Sequence, residues 1–298
     1  MNKSMIDNIY NPNDFCIFII SYQRANNVKT YKTLQKCNCK YPIFIVVSDD
    51  DTQINQYKKN FSENNLVIYS KREYIGKFDY MDNRIDKLSS AAFPRNAVFD
   101  IAKKLGYPFF LVLDDDYINF LYRYMQNNKL RGKILHKSLD KILYLYKETL
   151  KALPNIHSLA MSQSGDFISG NMTRAFSYRR QRKIMNVFFC ATDRRFEFFG
   201  RLNEDVNVYT KLGNIGYLFL TIPEISIVQP ITQHNEGGLT SSYLELGTYI
   251  KTFYTLLAMP SSVKIGIIQD TFSRIHHQVN WKFTIPYILP DEVKKYKK

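Results

Sequence analysis

The feature that most constrains this chain is an apolar run that ends in charge. Residues 108–113 (PFFLVL) pass without a break into Asp114, Asp115 and Asp116. A run this short, apolar at consecutive positions, reads as a strand covered on both faces, which places it centrally in a parallel sheet wrapped by helices. Ligands of open α/β sheets gather at the carboxyl ends of such strands. Three adjoining carboxylates raise one another's pKa and lose solvation, so they coexist most readily by sharing a divalent cation. Hard oxygen donors select magnesium or manganese, and such an ion bridges to the oxygens of a diphosphate and stabilises a negative leaving group. The competing reading is a solvated acidic turn.

The surrounding pattern supports an α/β chain. Residues 15–21 (FCIFIIS), 42–48 (PIFIVVS) and 65–70 (NLVIYS) read as further buried strands. Helical spacing appears at 27–37, where Asn27 is placed to cap, and at 54–63, where Ile54, Tyr57 and Phe61 share a face. Residues 93–105 carry Pro94 in the first turn and Gly106 just past the end, the usual start and stop asymmetry of a helix. The polar stretch 71–90 reads as a long loop, and a loop of that length in a compact enzyme is usually functional. Beyond the acidic triplet the pattern predicts a long amphipathic helix over 133–153, strands at 158–162, 183–191 and 217–222, and a helix within 237–259. No repeat or linker divides the chain. A single domain over 1–298 is expected, with a first half at about 13–120 and an elaborated second half at about 121–290.

Charge narrows the partners. Lys and Arg outnumber Asp and Glu by 41 to 27, which favours polyanionic ligands such as nucleotides or nucleic acid. The basic cluster from Arg174 to Arg201 interleaves Arg179, Arg180, Arg182, Lys183, Arg194 and Arg195 with Phe176, Tyr178, Phe196 and Phe198, and reads either as a nucleic-acid contact or as a solvated loop face. Cys16, Cys37, Cys39 and Cys190 form neither a disulfide framework nor a zinc pattern and are expected as free thiols. With no apolar run long enough to cross a bilayer and no secretory signal, a cytoplasmic protein without membrane partners is expected.

Several motifs together resemble a known group. The end of the first strand with Ser21, Gln23 and Arg24, a second strand ending in Asp49 and Asp50, the Pro94-Arg95-Asn96 helix and the terminal Asp114–Asp116 triplet are similar to GT-A glycosyltransferases. More narrowly, they resemble the TET-associated glycosyltransferases, a phage-encoded group related to the base J glucosyltransferase that attaches sugars to hydroxymethylated pyrimidines in DNA. The likeness runs from about residue 15 to 238. It implies a GT-A fold, a mainly parallel central sheet flanked by helices, with a UDP-sugar donor and Mn2+ or Mg2+. Under it, Ser21, Gln23 and Arg24 line the nucleotide pocket, Asp49 or Asp50 meets the base or ribose, and Arg95 with Asn96 grips the diphosphate or sugar. Asp114 and Asp116 form the DXD-type pair on the metal, Asp115 adds to the nucleotide site, and His234 completes the metal shell.

Glu204 and Asp205 resemble the late acidic pair of inverting GT-A enzymes. Sugar transfer with inversion needs a carboxylate to take the acceptor hydroxyl proton, and Asp205 is the first choice for that base, Glu204 the second. The alternative is a helix N-terminus that attracts acids through its dipole. Asp49–Asp51 has a parallel ambiguity, holding a uracil or ribose or merely capping a helix. The expected activity is transfer of a hexose, glucose first among candidates, from a UDP-sugar to a hydroxymethylpyrimidine in DNA within the host cell's cytoplasm. Alternatives are a GT-A enzyme acting on a saccharide, lipid or protein, and an inactive nucleic-acid-binding relative. A sugar nucleotidyltransferase would need a Gly-rich N-terminal loop and an activating Lys, which the sequence lacks.

Overall fold

A computed structural model describes residues 13–82, 88–167, 170–173, 176, 186–230, 250–269 and 273–284. Its centre is a nine-stranded sheet in the order β3-β2-β1-β4-β8-β7-β9-β5-β6. The first four in that row are β1 (Phe15–Ile20), β2 (Ile43–Ser48), β3 (Leu66–Tyr69) and β4 (Phe109–Asp114), all mutually parallel. The others are β5 (Asn119–Gln126), β6 (Lys129–Ile134), β7 (Ile156–Gln163), β8 (Phe188–Ala191) and β9 (Leu218–Val228). Only β5 and β8 run against the common direction, so the sheet is mainly parallel, as expected for the α/β class.

Alternation along the strands explains why the central ones are apolar at every position. From β1 and β4, Ile17, Ile19, Leu111 and Leu113 face one side, where Leu34, Tyr57 and Leu143 pack on them. Those partners come from α1 (Lys29–Lys36), α2 (Ile54–Asn60) and α4 (Leu139–Ala152). Cys16, Phe18, Phe110 and Val112 face the other, under Phe93, Ala97 and Val206. These belong to α3 (Ala92–Leu105) and α5 (Glu204–Asn214). The result is a three-layer sandwich in which both faces of β1 and of residues 110–113 of β4 are buried. All four cysteines are free.

Some boundaries differ from the sequence reading. Residues 129–134 form β6 rather than the start of a helix, so the long helix is confined to Leu139–Ala152. The reversal before it is made by Asn127 and Asn128, both with φ near +50° to +57°, a conformation Asn tolerates and a two-residue hairpin requires. Asn27 does not cap α1, whose preceding residue Val28 makes no side-chain cap. The 71–90 stretch opens with a short 3-10 turn over Lys71–Tyr74. Gly106 closes α3 at φ +81°, as the sequence predicts. A last helix, α6 (Ile250–Ala258), packs on the hairpin of β10 (Val263–Gln269) and β11 (Ser273–Val279), which the sequence reading missed. Residues 237–249 of the predicted late helix, and 183–185 of the predicted strand, lie outside the described residues. Among the described residues no helix is long and apolar enough to cross a membrane.

Candidate active site

Register brings the acidic segments to one edge. Ile20 of β1 pairs with Val46 of β2 and with Asp114 of β4, so the loops leaving all three strands emerge side by side. Carboxyl ends of adjacent parallel strands thus converge as the sequence pattern predicts.

The three aspartates of β4 have three different surroundings. Asp115 is buried, accepts a hydrogen bond from Ser21 Oγ at 2.6 Å and pairs with Arg24 Nη1 at 2.7 Å. Burial raises its pKa, and Arg24 and Ser21 pull partly against that. Asp114, partly exposed, pairs with Arg95 Nη2 at 2.9 Å. Asp116 makes no ion pair among the described residues; burial first, then the charges of Asp114 and Asp115, push its carboxyl up to about 7. Thr30 locks this turn, donating its hydroxyl to the Asp114 carbonyl at 2.6 Å while accepting from Tyr117 N at 2.9 Å.

The loop after β1 is held by the same groups. Gln23 takes φ +55°, an unusual conformation for a side-chain-bearing residue, and its backbone N–H donates to Asp51 at 2.6 Å. Asp51 also accepts from Gln53 N at 2.7 Å and is buried. Tyr57 joins the set through Ser21 Oγ at 2.7 Å and Arg24 N at 3.0 Å. Asp49 and Asp50 are exposed. Asp50 pairs with Lys71 Nζ at 2.8 Å, and Lys71 also stands over the Tyr22 ring at 4.7 Å. Burial acts against the Asp49 charge, but bonds from Ser70 and Lys71 leave its pKa lowered. Thr30, Tyr57 and Lys71 are not site candidates in the sequence reading, and Asp51 enters it only within the Asp49–Asp51 run. Of these, only Asp51 carried a signal, as the last member of its acidic run.

Arg95 links the two halves of the chain. Its side chain is 1% exposed, packed against the Phe188 and Phe198 rings at 5.0 and 5.7 Å, and lies 3.3 Å through Nη1 from Glu204 Oε1. That last contact is an ion pair without hydrogen-bond geometry, since Nη1 and Nε have no hydrogen-bond partner. Burial opposes the charge on Arg95, and Asp114, Glu204 and Asp205 more than offset it, so its pKa is raised. Neighbouring Asn96 is committed elsewhere: its amide donates to the Phe198 carbonyl at 2.7 Å and accepts from Phe198 N at 2.9 Å. The Arg95-Asn96 pair therefore divides its work, one side chain entering the site and the other fastening α3 to the segment before α5.

Glu204 and Asp205 open α5 and are both buried. Gly200, at φ +85°, allows this entry, because a Cβ there would meet Asn207 Nδ2 at 2.5 Å. Asn203 precedes the helix at φ +55° without capping it, and its amide donates to Lys251 O and Thr255 Oγ1 of α6. Burial drives Glu204 up to about 7, with Arg95 pulling down and Asp205 adding to the rise. Asp205 is raised by burial as well, against the attraction of Arg95, and accepts from Val206 N at 2.9 Å. Buried carboxylates with raised pKa are the usual equipment of proton transfer near neutrality.

The donor set suits a hard cation. Asp114 and Asp116 offer oxygen ligands, and the crowding that raises Asp116 is what a divalent ion relieves. Among the described residues no three acidic, His or Cys side chains form a ready metal cluster. Two carboxylates completed by phosphate oxygens and water is a normal magnesium arrangement. His234, Gly237 and Gly238 lie outside the described residues, as do Arg174, Tyr178, Arg179, Arg180, Arg182 and Lys183 of the basic cluster. Arg194 in that cluster bonds the carbonyls of Leu150, Leu153 and Ile156, and Arg195 pairs with Asp100.

Such a sandwich, with carboxylates at its strand ends and a buried guanidinium tying them to a second acidic pair, is built as an α/β transferase is. The sequence model of the TET-Associated Glycosyltransferase family matches residues 15–238, about three quarters of the chain, and the chain belongs to that family. It is a glycosyltransferase. Its outline is similar to glucosyl-3-phosphoglycerate synthase from Mycobacterium tuberculosis, solved with Mg2+ and uridine diphosphate, at 6% identity over 99% of this chain and 96% of that one, with a TM-score of 0.47. The same enzyme with Mn2+ and UDP-glucose gives a TM-score of 0.46 at 6% identity, over 99% and 95% of the two chains. S. aureus TarS 1–349, solved with UDP-GlcNAc, gives 0.41 at 14% identity, over 74% and 60%. No curated protein matches the sequence.

Proposed function

We propose that this glycosyltransferase moves a hexose from a UDP-sugar to the hydroxymethyl group of a pyrimidine in DNA, with a divalent metal at Asp114 and Asp116. One observation carries the reading. Among the described residues, Asp116 stands without an ion-pair partner at the end of a central strand while the two carboxylates before it are already matched by Arg24 and Arg95. The unmatched charge is where a metal and a diphosphate fit. A bound Mg2+ or Mn2+ supplies charge neutralisation for the departing diphosphate.

The chain's own residues do the rest. Arg24, anchored by Asp115, offers a guanidinium to the nucleotide side, and Gln23, Asp49, Asp50 and Lys71 border the loops where a base and ribose fit. Arg95 holds Asp114 and Glu204 in register, so donor and acceptor halves share one fixed cation. Asp205 makes no ion pair among the described residues and acts as the base. It takes the proton of the acceptor hydroxyl as that oxygen bonds to the anomeric carbon and the bond to the UDP oxygen breaks. A single displacement of this kind inverts the anomeric centre. The DNA acceptor rests on the family resemblance and on the excess of basic residues.

The test incubates the protein and Mn2+ with a panel of UDP-sugars and hydroxymethylated DNA, then analyses nucleosides by mass spectrometry. A hexose added to a hydroxymethylpyrimidine is expected. Transfer to a glycan, lipid or protein acceptor with none to DNA at any salt concentration would replace the acceptor, and no release of UDP with any acceptor would sink the reading.

A further inference from the structure

We propose that one face of the β5–β6 hairpin is a nucleic-acid docking surface, a reading that places the polyanionic acceptor of the previous section against a particular set of residues. Antiparallel register sets Tyr122 opposite Lys133, Tyr124 opposite Arg131, and Gln126 opposite Lys129. Side chains two apart on a strand share a face, so two tyrosines and three cations form a ladder on one side. The Tyr122 and Tyr124 rings stack at 5.5 Å with 24° between planes. Tyr122 is 41% exposed, and Lys129, Arg131 and Lys133 are exposed too.

The charge is uncompensated. Residues 117–139 contain Arg123, Lys129, Arg131, Lys133 and Lys137 and no Asp or Glu. None of the three ladder cations is in an ion pair among the described residues. Arg123, on the opposite face, is occupied, donating to Ser226 Oγ at 3.1 Å and standing over Phe167 at 5.2 Å. β6 is an edge strand, and lysines there discourage pairing with other chains. Edge protection accounts for the cations, but not for a stacked aromatic pair beside them, one ring exposed and the other half-buried. Cations for phosphates and flat rings for bases is the combination that unpaired nucleic acid requires.

Position agrees with that role. β5 begins at Asn119, directly after the acidic end of β4, and Tyr122 follows Asp116 by six residues. A chain reaches at most ~3.6 Å per residue, so the ladder starts within about 22 Å of Asp116. An acceptor strand lying along it passes close to the strand-end edge where transfer occurs.

The experiment measures fluorescence anisotropy of labelled, unmodified 20-mer DNA, duplex and single-stranded, with the full chain. The triple variant Lys129→Glu, Arg131→Glu, Lys133→Glu is expected to bind duplex roughly tenfold or more weakly near 0.1 M salt, with the slope of log affinity against log salt shallower by about 2 to 3. Tyr122→Ala with Tyr124→Ala is expected to weaken single-strand binding about tenfold and leave the salt slope unchanged. Both variants should retain wild-type Tm and donor hydrolysis. Unchanged affinity and slope in the triple variant would overturn the proposal, as would wild-type binding to phosphatidylglycerol vesicles but not to DNA. Ladder-dependent DNA binding without transfer to hydroxymethylated DNA would uphold the surface while removing the DNA-acceptor reading.

Discussion

The chain contains the same word twice, Asp-Asp-Asp at 49–51 and again at 114–116, each closing a strand of one parallel sheet. Their fates differ. In the first run the buried member, Asp51, is satisfied by two backbone N–H groups, and the exposed members lean on Lys71 and Ser70. In the second, the buried member is matched by Arg24 and the first by Arg95, while the third makes no ion pair among the described residues and feels Arg24 and Lys29 only at longer range. Both runs leave the same edge of the sheet, so the edge alone does not separate them. What separates them is the count of countercharges, and the run with a deficit is the one that can hold a cation.

Asp116→Asn should have the largest effect, because it removes the carboxylate that carries the deficit. Metal-dependent transfer is expected to fall by roughly 10⁴-fold with the fold intact. The metal-free protein supplies an independent reading. A carboxyl raised to about 7 when folded and near 3.8 when unfolded binds protons more tightly in the native state. Its contribution to stability is therefore lost as pH rises from about 4 through 7. Asn does not ionise, so Asp116→Asn should raise Tm more at pH 8 than at pH 5. An equal Tm change at both pH values would mean that Asp116 is not under strain, and the contrast with Asp49–Asp51 would collapse.

Next is Asp205→Asn, expected to lower kcat by about 10³-fold while donor affinity, read by calorimetry with UDP, stays within error. Glu204→Gln disturbs the Arg95 ion pair instead and should weaken donor binding along with rate. If Asp205→Asn turns over normally and Glu204→Gln does not, the base is Glu204. That outcome would move the proton acceptor onto the side chain that Arg95 already holds.

How much of this was legible follows from the same accounting. β1, β2 and β4 could be read directly because both faces of each are buried, which leaves uninterrupted apolar runs. The β5–β6 hairpin escaped because one of its strands is an exposed edge whose Lys and Arg residues mimic a polar helix face, and only the Asn127-Asn128 turn announced it. The acidic triplet and the Glu204-Asp205 pair were both visible as motifs. Their connection through Arg95 was not, since nothing in a linear pattern tells that a residue in α3 will lie between β4 and α5. For the same reason Asn96, adjacent in sequence to Arg95, could not be told apart from it. One helical step of about 100° sends it to Phe198 instead.

Arg95→Met probes that connection and ranks third. It leaves Asp114 and Glu204 facing each other without the cation, and removing one partner from a buried pair costs more than the pair itself contributes. A loss of about 3 kcal/mol in urea unfolding is expected at neutral pH. The loss should shrink at pH 5, where Glu204, raised to about 7, is protonated and no longer needs a countercharge. A stability loss that is the same at both pH values would assign the cost to packing against Phe188 and Phe198 rather than to charge.

The smallest effect belongs to Asp50→Asn. Its carboxylate is exposed and its partner Lys71 is nearly buried, so the pair is half solvated and the change should cost under about 1 kcal/mol. Lys71 keeps its place over the Tyr22 ring, and Asp51 continues to hold Gln23, so the loop after β1 retains its shape. Donor affinity is therefore expected to change by less than about threefold. A large loss of UDP binding with unchanged Tm would be the informative surprise. It would mean that Asp50 contacts the nucleotide directly and that the first acidic run, though balanced in charge, works by hydrogen bonding rather than by attracting a cation. The two runs would then differ in mechanism, with one recognising the base and the other anchoring the diphosphate.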